Sequence, residues 1–285
     1  MRFLVLISSV AFVSLMAPAF AEMNIDVLVD GLNNPWEMVF APNGDIYFSE
    51  RDGRIWKIEN FGEAKIIQTF PKSGAIEGGT LGLALHPDFE ENNKIYVYQT
   101  NLELEFYQNK VFSFEVDENT LSNKQLILDG IPGAPWHDGG RIKFGPDQKL
   151  YISTGDAINP GWSQDLSSLA GKILRINSDG TIPNDNPFDS SPVFSYGHRN
   201  PQGLAWSTDG LFLSSEHGPS GELGYGHDEI NVILKGKNYG WPNVVGNSFD
   251  TKFVNPLTHS GESTWAPSGM VFFDSEKISD FTGKF

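Results

Sequence analysis

The chain has 285 residues, 39% of them hydrophobic and 13% aromatic, with 30 Gly, 17 Pro and no Cys. Its formal net charge is −16 and its pI is near 4.7. That balance argues against a nucleic-acid surface and against attraction to anionic lipid, and the missing cysteines exclude disulfides, a cysteinyl metal site and a thiol nucleophile.

Residues 1–21 read as a cleavable secretory signal: Arg2 is the charged start, Phe3 to Met16 the apolar run, and Ala19-Phe20-Ala21 the cleavage pattern. The run is too short for a comfortable transmembrane helix, although an uncleaved anchor competes with this reading. The expectation is a periplasmic or secreted protein whose residues 22–285 form one domain.

From Asn24 onward almost nothing looks helical. One pattern returns instead: a small hydrophobic stretch, a turn, in most copies with Pro, then an apolar strand. It occurs at Phe40-Ala41-Pro42-Asn43-Gly44-Asp45-Ile46-Tyr47-Phe48 and, more loosely, at Leu85-His86-Pro87-Asp88-Phe89 leading to Ile95–Tyr98. It returns at Ile142–Ser153 and at Trp206–Leu213, and a fifth copy starts at Ala266-Pro267-Ser268-Gly269. Further strands follow at Arg54–Ile58, Val111–Val116, Lys172–Ile176 and Glu229–Ile233. A recurrence of roughly 45–60 residues suits the four-stranded blades of an all-β propeller. Radial packing hides the sheet edges that a flat antiparallel sheet would expose. A pair of β-sandwiches is the competing architecture, but it gives no reason for the repeated turn. Four units and the start of a fifth lead to the expectation of about six blades, with the last ones missing from this chain and a weakly active or inactive fragment. A five-blade ring is the alternative.

Irregular Gly-rich segments interrupt the blades: Glu77-Gly78-Gly79, Trp136-His137-Asp138-Gly139-Gly140-Arg141, Tyr196-Gly197-His198-Arg199-Asn200-Pro201-Gln202-Gly203, and Ser215-Glu216-His217-Gly218-Pro219 with Asp228-Glu229-Ile230-Asn231. The strands flanking Gly145-Pro146-Asp147-Gln148 form a hairpin that brings His137 and Asp156 to one end. A His beside a carboxylate has the geometry of an oriented general base. On that stretch alone, a strand-flanking His with an Asp in a turn is the plainer reading. Likewise Glu77 and Glu229 could be solvated acids, and Arg199 with Asn200 a structural turn. No HExxH, GxSxG or P-loop pattern occurs, which sets aside zincin, serine-hydrolase and nucleotide chemistry.

Taken together, these segments resemble the glucose/sorbosone dehydrogenase family of soluble aldose sugar dehydrogenases that use pyrroloquinoline quinone (PQQ). The resemblance rests on His137-x-Gly-Gly-Arg141 with Gly155-Asp156, on Gly197 to Gly203, on Glu216-His217-Gly218-Pro219 with Asp228 to Asn231, and on Asn238-Tyr239-Gly240-Trp241-Pro242. It implies a six-bladed propeller, PQQ and calcium as cofactors, an aldose substrate and an external electron acceptor, a quinone or a cytochrome. It implies catalytic roles for His137 as base, Asp156 as its orienting carboxylate and Arg199 as a cation for the anionic quinone. Glu77, Gln164, Asn200 and Thr264 are implied cofactor contacts beside His137 and Arg199. Gly218 and Pro219 would bind the catalytic calcium through carbonyls, which suits a hard cation, and Glu229 and Tyr239 a structural one. The protein is expected to be a monomer or a homodimer; a calcium-dependent propeller lactonase and a non-catalytic extracellular binding propeller are the alternative functions.

Overall fold

The computed structural model describes residues 26–220, 225–273, 275 and 282–284; the expected signal at 1–21 lies outside them. The described chain forms four four-stranded antiparallel sheets. The first holds β1 (Pro35–Phe40), β2 (Ile46–Glu50), β3 (Arg54–Ile58) and β4 (Ala64–Thr69). The second holds β5 (Thr80–Leu85), β6 (Lys94–Glu103), β7 (Phe106–Asp117) and β8 (Thr120–Pro132). The third holds β9 (Ile142–Phe144), β10 (Leu150–Thr154), β11 (Lys172–Ile176) and β12 (Val193–Tyr196), and the fourth β13 (Pro201–Trp206), β14 (Phe212–Glu216), β15 (Glu229–Val232) and β16 (Thr258–His259). Among the described residues helix is confined to one turn, α1 (Phe89–Asn92), and a 3-10 turn at Pro160–Gln164.

The repeated turn has one cause. In the first copy Ala41 N donates to Asp45 O at 2.8 Å around Gly44, whose φ is +89°. In the fourth, Ser207 N donates to Leu211 O at 2.9 Å around Gly210, also at φ +89°. In the third, Gly145 N donates to Lys149 O at 2.9 Å and Gln148 occupies the left-handed position at φ +60°. Each turn needs one residue in that region, which glycine takes without steric penalty.

The sheets stack radially as blades, and the strand period shows how. Successive side chains of a strand point to opposite faces, and a strand covered on both faces reads as a continuous apolar run. In β6, Ile95 and Val97 pack toward the first blade, whereas Tyr96 and Tyr98 pack toward the third. In β10, Leu150 and Ile152 face the second blade while Tyr151 meets Leu204 and Phe212 of the fourth. Each fully buried Ile or Leu contributes about 1.5–3 kcal/mol. Among the described residues the hydrophobic core is thus three inter-blade layers, with a fourth, smaller cluster of Ile46, Phe48 and Ile58 on the first blade.

The inner strands β1, β5, β9 and β13 border an open trough of about 620 Å3. Arg141 crosses it: Nη1 pairs with Glu37 of β1, Nε donates to Gln202 O of β13 at 2.8 Å, and the guanidinium lies 4.0 Å from the Trp36 ring. The fifth copy expected at Ala266 does not form a strand among the described residues. Its Ser268 carbonyl accepts the Ser215 hydroxyl at 2.6 Å, and one isolated bridge joins Phe273 to Lys284. Here backbone groups pair with the fourth blade rather than with a strand of their own.

Candidate active site

The connections β8–β9, β10–β11, β12–β13 and β14–β15 meet at one end of the blades. All but the β10–β11 connection, joined by the β4–β5 connection and the segment after β16, enclose a cavity of about 300 Å3 whose wall includes Glu77, His137, Arg199, His217, Asp228 and Thr264.

His137 enters from the β8–β9 connection with φ +62°, a backbone region unusual for a residue with a side chain. Three contacts impose it. Its amide donates to Glu77 Oε2 at 2.9 Å, and its carbonyl accepts Ala157 N at 3.2 Å. Gly155 lies so close that an added Cβ would sit 1.9 Å from the His137 carbonyl oxygen. The imidazole Nδ1 is 2.8 Å from Asp156 Oδ1. Asp156 is fully buried and also accepts from Ile158 N at 2.9 Å and from Trp241 Nε1 at 2.8 Å. A carboxylate with these donors is an acceptor, so Nδ1 carries the imidazole proton and Nε2 the lone pair.

Next to the base, Asp138 is buried. Its Oδ1 accepts Asn109 Nδ2 at 2.9 Å and Ala134 N at 3.1 Å, and Tyr98 donates to its carbonyl at 2.7 Å. Its Oδ2, like Thr100 Oγ1 and Asn109 Oδ1, has no hydrogen-bond partner among the described residues. Burial pushes the Asp138 carboxyl up to about 6, with the Asn109 amide opposing.

Arg199 is the buried cation of the cavity. Burial lowers its affinity for the proton, while Asp156, Glu216, Glu77 and Asp228 pull the other way; a guanidinium keeps its charge in such surroundings. It lies 5.5 Å from the Trp241 ring and its amide donates to Glu216 Oε1.

The far rim is organised by Asp228, which accepts Gly218 N at 2.8 Å, Thr264 Oγ1 at 2.8 Å, Trp265 N at 2.6 Å and Ala266 N at 2.9 Å. Burial acts to raise its carboxyl, but the Ala266 and Gly218 amides outweigh it and hold it below the usual range.

Behind this cavity lies a chamber of about 20 Å3, the space of a single water or ion. Its wall includes Gly218, Pro219, Glu216, Glu229 and Tyr239, so the structure brings the four expected calcium residues together. Burial, then the neighbouring Glu216 carboxylate, push Glu229 up to about 8. Asn231 donates to Glu229 at 3.0 Å, while its own Oδ1 is buried without a partner. Among the described residues no three His, Cys, Asp or Glu side chains converge as a metal cluster.

Asn200 and Gln164 do not line either space. Asn200 Oδ1 accepts Gly139 N and Gln202 Nε2, each at 3.0 Å. Gln164 exchanges hydrogen bonds with Asn238 and donates to Trp241 O at 2.6 Å. Nearby, Ser195 Oγ, His198 and Glu216 form a 2.9 Å–2.9 Å string with the order of a hydrolytic triad. Ser195 and His198 are both fully buried, so no substrate reaches the hydroxyl. The string is a scaffold for Arg199.

Asp228, Trp241 and Asp138 were not among the sequence candidates. Asp228 and Trp241 lie inside motifs quoted above, but their roles depend on partners 85 residues away for Trp241 and up to 38 for Asp228.

Comparison with known proteins bears on this site. The sequence profile of the glucose/sorbosone dehydrogenase family matches residues 32–285. Quinoprotein glucose dehydrogenase B of Acinetobacter calcoaceticus is 34% identical over 291 residues, covering 88% of this chain and 60% of that protein. The chain therefore spans less than two thirds of that relative's length. The crystal structure of an oxidoreductase described as a glucose dehydrogenase from Thermus thermophilus superposes with a TM-score of 0.83 at 42% identity, covering 87% of this chain and 76% of its own. The PQQ-bound aldose sugar dehydrogenase of Streptomyces coelicolor superposes with a TM-score of 0.79 at 36% identity, covering 87% and 74%.

Proposed function

Because the chain belongs to the glucose/sorbosone dehydrogenase family, we propose that it oxidises an aldose sugar to the lactone, with bound PQQ and calcium and an external quinone or cytochrome as electron acceptor. The observation that carries this reading is the His137–Asp156 pair at 2.8 Å on the wall of a cavity shared with the Arg199 guanidinium.

The residues present fit both groups. A quinone bearing carboxylates needs a cation, and Arg199 supplies one in an otherwise acidic cavity. A calcium ion needs oxygen donors in a small space, and the wall of the 20 Å3 chamber holds Gly218 and Pro219, expected for the catalytic ion, together with Glu229 and Tyr239, expected for the structural one. When bound, PQQ supplies a two-electron oxidant and calcium a Lewis acid. The chain's own residues do the rest. His137 Nε2 takes the proton of the C1 hydroxyl. Asp156 holds Nδ1–H and stabilises the imidazolium that results, and the Ile158 and Trp241 donors keep it an acceptor throughout. Arg199 binds and orients the anionic oxidant; Glu77 fixes the backbone on which the base stands. Thr264, on the cavity wall and held by Asp228, helps frame the opposite side. Export beyond the cytoplasmic membrane suits a protein that hands electrons to an external acceptor.

The test adds PQQ and calcium to the protein, supplies aldoses, and follows reduction of an artificial acceptor dye. His137→Ala should abolish turnover while PQQ binding, read by equilibrium dialysis, persists. Unchanged turnover in that variant removes His137 as base; no dye reduction with any aldose removes the dehydrogenase reading.

A further inference from the structure

The β6–β7 hairpin outgrows its blade. β5 pairs with β6 only as far as Thr80↔Gln99, and β8 with β7 as far as Gln108↔Pro132. β6 and β7 keep pairing to Glu103↔Phe106, and Leu104 and Glu105 turn the chain at φ +47° and +71°. Beyond Thr100 the hairpin therefore extends three residues, roughly 10 Å, past its neighbouring strands as a two-stranded ribbon. Such a ribbon is marginal in water. This one carries apolar side chains into it: Leu102 is 54%, Leu104 93% and Phe106 75% exposed.

The ribbon rises at the site end of the second blade. β6 runs antiparallel to β5, whose first residue, Thr80, follows closely on Glu77 of the cavity wall. Thr100 N donates to Gly79 O at 2.8 Å, and a Cβ on Gly78 would be 2.6 Å from Thr100 Oγ1. On the other strand Asn109 Nδ2 donates to Asp138 Oδ1 at 2.9 Å, one residue from the base, and Tyr107 O accepts Gly133 N at 3.2 Å. Gly133 begins the connection that reaches His137. Pro135 O in the same connection accepts the amides of Ile76 and Glu77, each at 3.0 Å. Ile76 is itself 53% exposed. The ribbon is thus tied to both loops that place Glu77 and His137 on the cavity wall, and its apolar tip stands beside them.

We propose that the β6–β7 ribbon is the docking element for a protein electron carrier with a basic face. The inference rests on the sugar-oxidising reading above and names the partner of that site. Oxidation of one aldose to its lactone releases two electrons and two protons, so a one-electron carrier docks twice per turnover while the protons pass to water. Encounters of this kind bury a small area with an apolar centre and a charged rim. Leu104 and Phe106 supply the centre, and Glu103 and Glu105 alternate with them at the tip. Glu103 is paired with Lys110 at 2.7 Å, so the charge of the tip rests on Glu105. Charge also selects the occupant. A second copy would set that tip against a chain of net charge −16, and anionic lipid would be repelled as well. A cationic protein is attracted by the whole chain and then held by the apolar tip.

The test uses mitochondrial cytochrome c as the cationic carrier. Its affinity for quinone-free protein is read by isothermal titration calorimetry at ~10 mM ionic strength, where charges act over ~30 Å, and at ~0.15 M, where they act over ~8 Å. Binding should weaken about tenfold or more between the two. The double variant Leu104→Ser/Phe106→Ser should bind about tenfold more weakly at both, with an unchanged melting temperature because both side chains are exposed. Glu105→Lys should lose about threefold or more at the lower ionic strength and little at the higher. With PQQ and calcium added, the double variant should lose about tenfold in kcat/KM for cytochrome c and nothing for a small acceptor dye. No cytochrome c binding by the wild type, unchanged binding in the double variant, or equal loss with cytochrome and dye overturns the proposal. So does a wild type that sediments as a dimer with a monomeric double variant, or vesicle binding that the double variant loses; the ribbon would then serve a second copy or a membrane. Cytochrome c binding that the variants weaken, without dye reduction by any aldose, leaves the docking surface standing and refutes the dehydrogenase reading instead.

Discussion

Replacing Asp138 by Asn is expected to stabilise the protein at neutral pH, although it alters a buried residue adjacent to the base. Asp138 Oδ1 already accepts from Asn109 and Ala134, and an Asn carbonyl accepts equally well. Oδ2 lies near Gly78, as does the unpartnered Thr100 Oγ1: a Cβ on Gly78 would be 2.7 Å from the one and 2.6 Å from the other. An NH2 group in place of Oδ2 puts a donor among acceptors that lack one. The pH dependence fixes the magnitude. The unfolded carboxyl titrates near its ordinary value of 3.8 and the folded one at about 6. Between these values the unfolded chain has released its proton and the folded chain has not, so rising pH favours unfolding. At about 1.36 kcal/mol per pH unit the penalty reaches about 3 kcal/mol and is fully developed above pH ~6. The amide of the variant cannot ionise and escapes it. Urea denaturation of both proteins at pH ~4 and pH ~7.5 reads the difference: within about 1 kcal/mol at the lower pH, and about 3 kcal/mol in favour of the variant at the higher. A variant less stable than wild type at the higher pH, or a gap of equal size at both pH values, refutes the reasoning.

Three further outcomes follow from contacts in the site. Gly155→Ala would place a Cβ 1.9 Å from the His137 carbonyl oxygen and 2.9 Å from Asn200 Oδ1. It should destabilise by about 3 kcal/mol or more and abolish turnover, read by thermal melting and dye reduction. Trp241→Phe removes the 2.8 Å donor to Asp156 and leaves a buried carboxylate oxygen unpaired. It should lose about 2 kcal/mol by urea titration and lower kcat more than it raises KM. Lys172→Met leaves the carbonyls of Trp162, Ser163 and Ala170 without the ammonium that they bind at 2.7, 3.2 and 2.6 Å. Despite the matched length it should cost about 3 kcal/mol, and a loss under about 1 kcal/mol would show that those carbonyls need no partner.

Much of the fold was legible because the middle strands of the sheets are largely covered on both faces. Arg54–Ile58 and Lys172–Ile176 each hold three apolar residues between turns, and both are strands over those same residues. The outer strand β4 (Ala64–Thr69) went unread because it is largely exposed and its polar positions break the period. The long β8 carries register shifts and a glycine at position 130 for the same reason of exposure. Of the site, the His137–Asp156 contact was readable since one hairpin joins them. Asp228 was not, because its partners are mainly backbone amides supplied by residues 218, 265 and 266, which leave no side-chain pattern. The four calcium candidates share one chamber, whereas Gln164 and Asn200 serve the loops that shape the cavity.

The division of β6 and β10 between two neighbouring blades has a consequence for how such a chain can vary. Tyr96 belongs to the second blade but fills the same layer as Leu150 of the third, and Tyr151 of the third fills the same layer as Phe212 of the fourth. A blade is therefore a unit of sequence repetition but not a transplantable part. Exchanging one for the corresponding blade of a relative replaces half of two interfaces at once, and both remaining halves must still fit. Substitutions that drift together should pair a residue of one blade with a residue of the next more often than with its own strand neighbours, which point into different layers.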